Sequence, residues 1–260
     1  MFAHRGGSGL APENTLAAFD NGLALGADGL ELDVHLSRDG RVVVHHDRLL
    51  DRTTNLQGPV ASRTADELAR ADAASQFRVN GTFPFRGRGL GVPLLADVLA
   101  RHRDVPVVVE LKVNTPQLAA AVVDVLRGAD ALDRVCLGSF GRRVLRAVRR
   151  LEPAVATSAA REEVRWALYR SWCRWPVSRV AYSCYQVPEW SGRTHVVTPL
   201  FVKGAHGAGL PVQVWTVDTE SDAGRLLEWG VDALITDRPD IIVPFVRKFR
   251  SEEMRWTHQP

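Results

Sequence analysis

The stretch Glu31-Leu-Asp-Val-His-Leu-Ser-Arg-Asp-Gly-Arg-Val-Val-Val-His-His-Asp47 combines a strand-like pattern with acidic and histidine side chains. It predicts two short strands joined by a tight turn at Asp39-Gly40. Because side chains two residues apart share one face of a strand, Glu31 and Asp33 point to one side and the apolar residues between them to the other. Burying a carboxylate on a strand costs free energy unless a positively charged group pairs with it. The pattern therefore indicates a bound cation or substrate at this strand rather than packing alone.

The second strand of this stretch separates two neighbouring histidines. Val42, Val44 and His46 share one face, and His45 lies on the opposite face. We therefore expect His46 to belong to the functional face and His45 to have a structural role.

Strand and helix patterns alternate along the rest of the chain. After a short first strand at 2–4, a helix is predicted to open at Pro12. The later predicted strands are 105–112, 135–140, 155–158, 180–185, 212–217 and 233–236, and the predicted helices are 94–103, 116–128, 142–151, 161–174, 199–207 and 220–229. Repeated strand–helix units imply a parallel sheet, and so many units in one chain favour a closed barrel. We predict an α/β fold, a somewhat irregular TIM-type (β/α)8 barrel, forming a single domain over residues 1–260.

One segment interrupts the alternation. Residues 47–92 are long, irregular and polar, with several glycines and prolines, and only a short helix at 64–70 is predicted within them. A connection of this length in a compact chain is usually functional or a small insertion. We predict a small insertion after the third strand.

The composition excludes some classes of protein. Apolar residues make up 45% and charged residues 24% of the chain, which is ordinary for a soluble globular protein. The net charge of +3 suits an anionic small substrate or an anionic membrane surface, and no Arg/Lys run resembles a nucleic-acid-binding arm. The odd number of distant cysteines favours reduced thiols. With no signal peptide and no apolar run of transmembrane length, we expect a cytoplasmic protein, although the short first strand suggests that the natural start lies upstream.

Acidic residues mark the ends of two predicted strands. In a barrel, functional residues collect at the carboxyl ends of the strands, so Glu31, Asp33 and Glu110 would converge in the mouth. Three neighbouring carboxylates repel one another unless a cation is present, and all-oxygen ligation suits a hard ion such as Mg²⁺ or Ca²⁺. The alternative is that these acids pair with arginines such as Arg5, since buried acids are usually paired.

Histidines and cations reach the same end of the predicted barrel. His4 and His46 are candidates for acid/base catalysis, because two histidines stand beside acids at strand ends. Zinc is a competing interpretation, but neither an HxH nor an HExxH spacing is present. Arg5 and Lys112 could clamp an anion, or they could be salt-bridge partners of the acids.

Three aromatic features allow two interpretations each. Trp215 is either a lid or stacking residue of the mouth or a core residue. The stretch Val164–Trp175 mixes arginine with tryptophan, which is typical either of a membrane-surface helix or of an ordinary outer helix of a barrel. The C-terminal segment Val243–Arg250 has the same two interpretations.

Taken in order, the polar stretches form a pattern that covers nearly the whole chain. They are His4-Arg-Gly6, Ala11-Pro-Glu-Asn-Thr15, Glu31-Leu-Asp-Val34, Asp39-Gly40, Val44-His-His-Asp47, Leu50-Asp-Arg-Thr-Thr-Asn55, Val109-Glu-Leu-Lys112, Ser139-Phe140, Val214-Trp-Thr-Val217, Gly230-Val-Asp232 and Thr236-Asp237. With them the chain resembles the glycerophosphodiester phosphodiesterase family. Each stretch alone is weak evidence, but the ordered set is specific.

The resemblance implies a phospholipase-C-like TIM barrel that hydrolyses small glycerophosphodiesters to sn-glycerol 3-phosphate and an alcohol. It implies one divalent metal ion, Mg²⁺ or Ca²⁺ with Mn²⁺ as a further option. It also implies a cap over the site formed by the insertion. The implied roles are acid/base catalysis for His4 and His46, metal ligation for Glu31, Asp33 and Glu110, and phosphate contact for Arg5 and Lys112. We also predict Trp215 as a substrate-binding residue.

Other functions stay open at this point. The arginine- and tryptophan-rich helix and the basic C-terminus favour a lipid phosphodiesterase on the same barrel, a lysophospholipase D or a sphingomyelinase-D-like enzyme with peripheral membrane contact. A barrel that binds phosphodiesters without catalysis is a second alternative. A sugar-phosphate isomerase or aldolase is a third, but Lys112 is the only lysine near a predicted strand end.

Overall fold

A computed structural model describes residues 1–173, 175 and 180–257. The strands are β1 (Phe2–His4), β2 (Gly29–Leu36), β3 (Val42–Val44), β4 (Val107–Leu111), β5 (Val135–Gly138), β6 (Ala156–Thr157), β7 (Tyr185–Pro188), β8 (Trp190–Ser191), β9 (Thr194–His195), β10 (Val212–Trp215) and β11 (Ala233–Thr236). The helices are α1 (Leu16–Ala24), α2 (Ala65–Ala69), α3 (Leu95–Arg101), α4 (Pro116–Gly128), α5 (Arg142–Leu151), α6 (Arg161–Trp172), α7 (Pro199–His206), α8 (Glu220–Glu228) and α9 (Pro239–Thr257).

Eight parallel strands curl into a barrel with helices between them. Their order is β6, β5, β4, β2, β1, β11, β10 and β7, and β3 pairs antiparallel with β2 outside this ring. The two ends of the sheet meet at a parallel bridge between Ser158 and Cys184. There the amide of Ala159 donates a hydrogen bond to the carbonyl of Cys184 (3.0 Å). The predicted TIM-type barrel is thus confirmed.

The apolar core lies between the strands and the helices. Leu30, Leu32 and Val34 of β2 are fully buried and belong to a cluster that includes residues of α3, α4 and α5. The alternation within β2 therefore places its apolar side chains against the helices. The opposite face of the strand turns Glu31 and Asp33 toward the inside of the barrel, as the sequence predicts.

The segment 47–92 carries its own small core. It contains a 3₁₀ turn at Val60–Ser62 and helix α2, which begins with a capping box between Thr64 and Glu67. Buried apolar residues of the segment pack against Val43 of β3; they are Leu50, Val60, Ala65, Leu68, Ala73 and Val92. The segment is therefore a packed addition to the barrel and not an unstructured loop.

The structure corrects some predicted elements. The helix predicted to open at Pro12 begins at Leu16, because Asn14 takes a left-handed backbone (φ 58°) and Thr15 caps the helix. The strand predicted at 180–185 is wrong, since β7 begins only at Tyr185, beyond the single bridge that closes the barrel.

Sequence reasoning missed the β8–β9 hairpin, and helix α9 extends beyond both ends of the C-terminal segment Val243–Arg250 for which a helix was considered. The last residue of the helix predicted at 161–174 lies outside the described residues. Within the described part of the chain, no helix is both long and apolar enough to cross a membrane.

A close backbone contact fixes the end of the segment 47–92. A Cβ atom on Gly91 would lie 2.0 Å from the carbonyl oxygen of Ala69. We expect Gly91→Ala to lower the free energy of unfolding by about 1–3 kcal/mol, because backbone atoms must move to relieve the overlap. Chemical denaturation measures the change. Gly128→Ala, where no atom lies within 4 Å of the new Cβ, is the control, and equal stability of the two variants would contradict the expectation.

Candidate active site

Three carboxylates meet at the mouth of the barrel. Glu31 and Asp33 extend from β2 and Glu110 from β4, and Asp33 and Glu110 occupy paired positions on these neighbouring parallel strands. One oxygen from each of the three lies within 4.8 Å of the others, and Glu31 and Asp33 are buried. The predicted convergence of the three acids is therefore observed.

Cations and an amide surround the innermost acid. Arg5 Nε lies 3.2 Å from Asp33 Oδ2, Lys112 Nζ lies 3.2 Å from Asp33 Oδ1, and Asn14 Nδ2 donates to Asp33 Oδ2 (2.9 Å). Burial opposes ionisation of this carboxyl, but Lys112 and Arg5 outweigh it and lower the pKa of Asp33. Asp33 is therefore an anion at neutral pH.

The surroundings of Glu31 raise its pKa, whereas those of Asp33 lower the pKa of Asp33. Burial, and next the negative charge of Asp33, raise the pKa of Glu31 to about 8, although His4 opposes the shift. The backbone amide of Arg5 donates to Glu31 Oε2 (3.2 Å). Without a further cation Glu31 and His4 therefore compete for a proton near neutral pH.

The donor set fits a hard divalent cation. All three candidate ligands are carboxylates, which such ions prefer. Asp33 Oδ1 is buried and receives no well-directed hydrogen bond, although it lies within ion-pair distance of Lys112. Glu31, Asp33 and Glu110 could therefore hold a divalent metal. The alternative pairing with cations is observed as well, so Arg5 and Lys112 already offset part of the charge.

A carboxylate holds the first histidine in place. His4 Nδ1 lies 2.7 Å from Asp237 Oδ1, and His4 Nε2 lies 3.7 Å from Glu31 Oε2. Burial lowers the pKa of His4, but the charges of Glu31 and Asp237 outweigh burial and raise it above its ordinary value. Asp237 in turn accepts a hydrogen bond from Ser8, and its own amide donates to Asp218 (2.8 Å).

The second histidine follows the end of β3 and is not on that strand. The strand stops at Val44, and His46 Nδ1 lies 2.6 Å from Asp47 Oδ1. His45 is buried away from the cavity, with its Nε2 3.2 Å from the carbonyl of Leu49. The distinction between the two histidines stands, but the prediction that His46 belongs to the strand was wrong.

An ion-pair chain links the second histidine to the acids. Arg52 binds Asp47 through Nε (2.5 Å) and both oxygens of Glu13 through its terminal nitrogens (2.7 Å each). Glu13 also accepts from Arg5 (3.0 Å), which contacts Asp33. The side chain of His46 is thereby tied to the same electrostatic system as the three carboxylates.

Sequence reasoning gave no role to the residues that orient the site. They are Glu13, Asn14, Asp47, Arg52 and Asp237. All five lie in the ordered stretches quoted above, and Asp47 directly follows a candidate histidine. A polar residue that adjoins a candidate catalytic residue in such a stretch is the signal that could have identified them.

The candidate catalytic, metal-ligating and cationic side chains meet at a cavity of about 530 Å³. The polar end is formed by His4, Arg5, Glu31, His46, Glu110 and Lys112. Trp215 lines the cavity and contacts Phe140 edge to face, with ring centres 5.9 Å apart. The aromatic residue at the end of β10 therefore faces the mouth. All predicted site residues except Asp33 line this cavity, and Asp33 lies directly beside it, among Arg5, Glu110 and Lys112.

Comparison with known proteins gives a consistent result. The model of the glycerophosphoryl diester phosphodiesterase family matches residues 4–241. A glycerophosphodiester phosphodiesterase of Caldanaerobacter subterraneus subsp. tengcongensis is 34% identical over 253 residues, which cover 95% of this chain and 98% of that protein.

Solved structures are similar over nearly their whole length. A glycerophosphodiester phosphodiesterase of Agrobacterium tumefaciens superposes with a TM-score of 0.76 at 30% identity, covering 93% of this chain and 97% of the other. An Oleispira antarctica phosphodiesterase in complex with the product sn-glycerol-3-phosphate gives a TM-score of 0.77 at 28% identity, covering 95% and 96% of the two chains.

The raised pKa of Glu31 predicts a pH-dependent metal affinity if Glu31 is a ligand. A divalent cation bound there would displace the proton from Glu31 below about pH 8, so the affinity would rise with pH by up to about tenfold per unit and level off above pH 8. Isothermal titration with Mg²⁺, Mn²⁺ and Ca²⁺ in two buffers of different ionisation enthalpy measures both the affinity and the proton release.

Two variants make this measurement specific. Glu31→Gln should weaken binding and flatten its pH dependence, whereas Asp124→Asn, on the exposed surface of α4, should change neither. Affinity that is constant from pH 6 to pH 9 in the unaltered protein would show that Glu31 is not a ligand.

Proposed function

The chain belongs to the glycerophosphoryl diester phosphodiesterase family, and we therefore propose that it hydrolyses glycerophosphodiesters to sn-glycerol 3-phosphate and an alcohol. One observation supports this most strongly: two histidines, each held by its own carboxylate, stand at the polar end of a cavity beside three converging acids. We also propose that residues 1–260 act as one catalytic domain, with the segment 47–92 beside the site.

Glu31, Asp33 and Glu110 would hold one divalent ion, Mg²⁺, Ca²⁺ or Mn²⁺. A bound ion of this kind stabilises the negative charge that develops on the phosphoryl oxygens. Arg5 and Lys112, which line the cavity at its polar end, bind the phosphate through charge-assisted hydrogen bonds. Trp215 contacts the substrate from the opposite part of the mouth.

The histidines transfer the protons of the reaction. In each ring the carboxylate accepts from Nδ1, which leaves Nε2 as the nitrogen that exchanges protons with the substrate. One histidine removes the proton of the glycerol 2-hydroxyl as its oxygen bonds to phosphorus, and the other gives a proton to the departing alcohol oxygen as its bond to phosphorus breaks. Water then opens the resulting cyclic phosphate: one histidine takes the proton of the water as its oxygen bonds to phosphorus, and the other returns a proton to the 2-oxygen, which gives sn-glycerol 3-phosphate. Each such role is worth roughly 10²–10⁴-fold in rate. Asp237 and Asp47 fix the ring orientation that both transfers require.

A substrate panel tests the proposed function. The protein is stripped with EDTA, and glycerol 3-phosphate release from glycerophosphocholine, glycerophosphoethanolamine and glycerophosphoglycerol is assayed with Mg²⁺, Mn²⁺ or Ca²⁺ added singly. We expect release that depends on the added ion. Binding of these compounds without turnover under any ion would instead indicate a non-catalytic barrel, and full activity after exhaustive stripping would contradict the metal assignment.

Replacing either histidine should stop turnover. His4→Ala and His46→Ala each remove a proton-transfer group, so we expect kcat to fall by about 10²-fold or more while circular dichroism shows an unchanged fold. His206→Ala is the matched control, because this exposed histidine pairs with Asp232 far from the cavity. Activity within a few-fold of normal in either site variant would eliminate that histidine from the mechanism.

Asp237→Asn should shift the pH profile as well as the rate. The carboxylate of Asp237 helps to raise the pKa of His4, so its removal lowers that pKa and moves the corresponding limb of the kcat profile to lower pH. We expect kcat to fall by about tenfold or more, since an amide no longer fixes the ring tautomer. The pH–rate profile of the purified variant measures both effects.

Asp240→Asn provides the control for this substitution. Asp240 lies three residues further along the chain and pairs with Arg238 at the start of α9, outside the cavity. A slower Asp237→Asn variant with an unmoved pH profile would assign Asp237 a structural role only.

A further inference from the structure

His35 is a buried histidine on the strand that carries two of the three acids. It lies on β2, is 5% exposed, and shares one face of the strand with Glu31 and Asp33. It does not line the cavity. Its Nε2 atom lies 3.0 Å from the main-chain carbonyl oxygen of His46. Because a carbonyl oxygen only accepts, Nε2 of His35 carries a proton and donates it in this hydrogen bond.

The main chain of His46 has no strand partner. Pairing between β2 and β3 stops at Val44, and the amide of His45 then donates one more hydrogen bond to the carbonyl of Asp33 (2.9 Å). In the part of the chain that the structure describes, no main-chain hydrogen bond involves the amide or the carbonyl of His46. The side chain of His35 therefore supplies the contact that pairing with β2 supplies to the residues before His46.

The carbonyl that His35 binds belongs to the peptide between His46 and Asp47. A peptide group is planar, so a fixed carbonyl oxygen fixes the plane that joins these two residues. Their side chains form the pair of His46 Nδ1 and Asp47 Oδ1 (2.6 Å), and Arg52 holds the other oxygen of Asp47. A turn of the peptide plane would move the ring and its carboxylate together. His35 thereby sets the position from which the ring of His46 reaches the cavity.

A second buried histidine makes a contact of the same kind with a different target. His45 Nε2 lies 3.2 Å from the carbonyl oxygen of Leu49, four residues further along the chain. Leu49 does not line the cavity, so this contact closes the turn at the start of the segment 47–92. His35 differs from His45 because its acceptor is the main chain of a candidate catalytic residue.

We infer that His35 is a positioning residue of the reaction and holds the main chain of His46. The inference rests on the proposed function, in which His46 transfers a proton. Without the donor of His35, the peptide after His46 is free to turn toward water or another donor. A displacement of about 1 Å at a reacting group can cost up to about 10²-fold in rate. Because His35 does not line the cavity, its loss should lower kcat and leave KM unchanged.

Three substitutions of His35 separate the hydrogen bond from packing. His35→Leu removes the donor, and we expect kcat for the panel compound that is hydrolysed fastest to fall about tenfold, with KM within about twofold. His35→Gln keeps an N–H donor at a similar distance from the backbone, so kcat should recover to within about threefold of the unaltered protein. His35→Asn carries the same amide on a shorter side chain and should behave as His35→Leu does. It replaces His35→Leu if the leucine variant does not fold.

Two controls exclude a general disturbance of the strand or the fold. His35→Leu should bind the activating ion with an affinity within about twofold of normal, measured by isothermal titration, because Glu31 and Asp33 keep their positions on β2. His102→Leu removes another buried imidazole, 9% exposed, which follows α3 and does not line the cavity. Its kcat should stay unchanged.

The outcomes separate this inference from the proposed function. If the unaltered protein hydrolyses no compound of the panel, the proposed function fails and the inference fails with it. If the unaltered protein is active but His35→Leu and His35→Asn keep kcat within about twofold, only the inference is overturned. A His35→Gln variant as slow as His35→Leu would also overturn it, as would a loss of ion affinity that parallels the loss of kcat, because His35 would then support β2 rather than His46.

Discussion

The mutual repulsion of three carboxylates governs the electrostatics of the candidate site. Glu31, Asp33 and Glu110 occupy adjacent strand ends, with one oxygen of each within 4.8 Å of the others. Such an arrangement persists only if cations or protons offset the charge. Both are present here, since Arg5 and Lys112 flank Asp33 while the pKa of Glu31 rises to about 8. The site is therefore prepared for a divalent ion, which can replace the proton and share the charge.

Ion pairs that begin at the three carboxylates connect parts of the chain that are distant in sequence. Arg5 follows β1 and pairs with both Asp33 and Glu13, and Glu13 in turn binds Arg52 in the segment 47–92. Arg52 also holds Asp47, which orients His46. A segment that is an insertion in the barrel therefore contributes to the position of one candidate catalytic group. Partly buried ion pairs of this kind act mainly by fixing geometry, because desolvation offsets much of their attraction.

The cavity has two chemically different ends because two structural layers supply them. Strand ends and the residues that directly follow them supply its acids, its histidines, Arg5 and Lys112. Helix α6 and the segment after β7 supply its apolar end, where Tyr169 and Trp172 are half exposed. The arginine- and tryptophan-rich sequence of α6 left two interpretations open, a membrane-surface helix or an outer helix. In the structure α6 is an outer helix of the barrel with one face on the cavity, and its contact with a membrane surface stays a prediction.

Short-range periodicity in the sequence predicted the fold class and grouped the candidate acids at strand ends, whereas the roles of the site residues came from the ordered stretches that resemble the family. Alternation along β2 separates Glu31 and Asp33 from Leu30 and Leu32, and the repeated strand–helix units imply the barrel. Only the tertiary structure decided which polar residues orient the histidines, since Asp237 meets His4 across 233 positions of sequence. It also decided that β3 ends before His46 and that one face of α6 borders the cavity. These outcomes depend on contacts between distant segments that form when the barrel closes. A local sequence pattern does not predict such contacts.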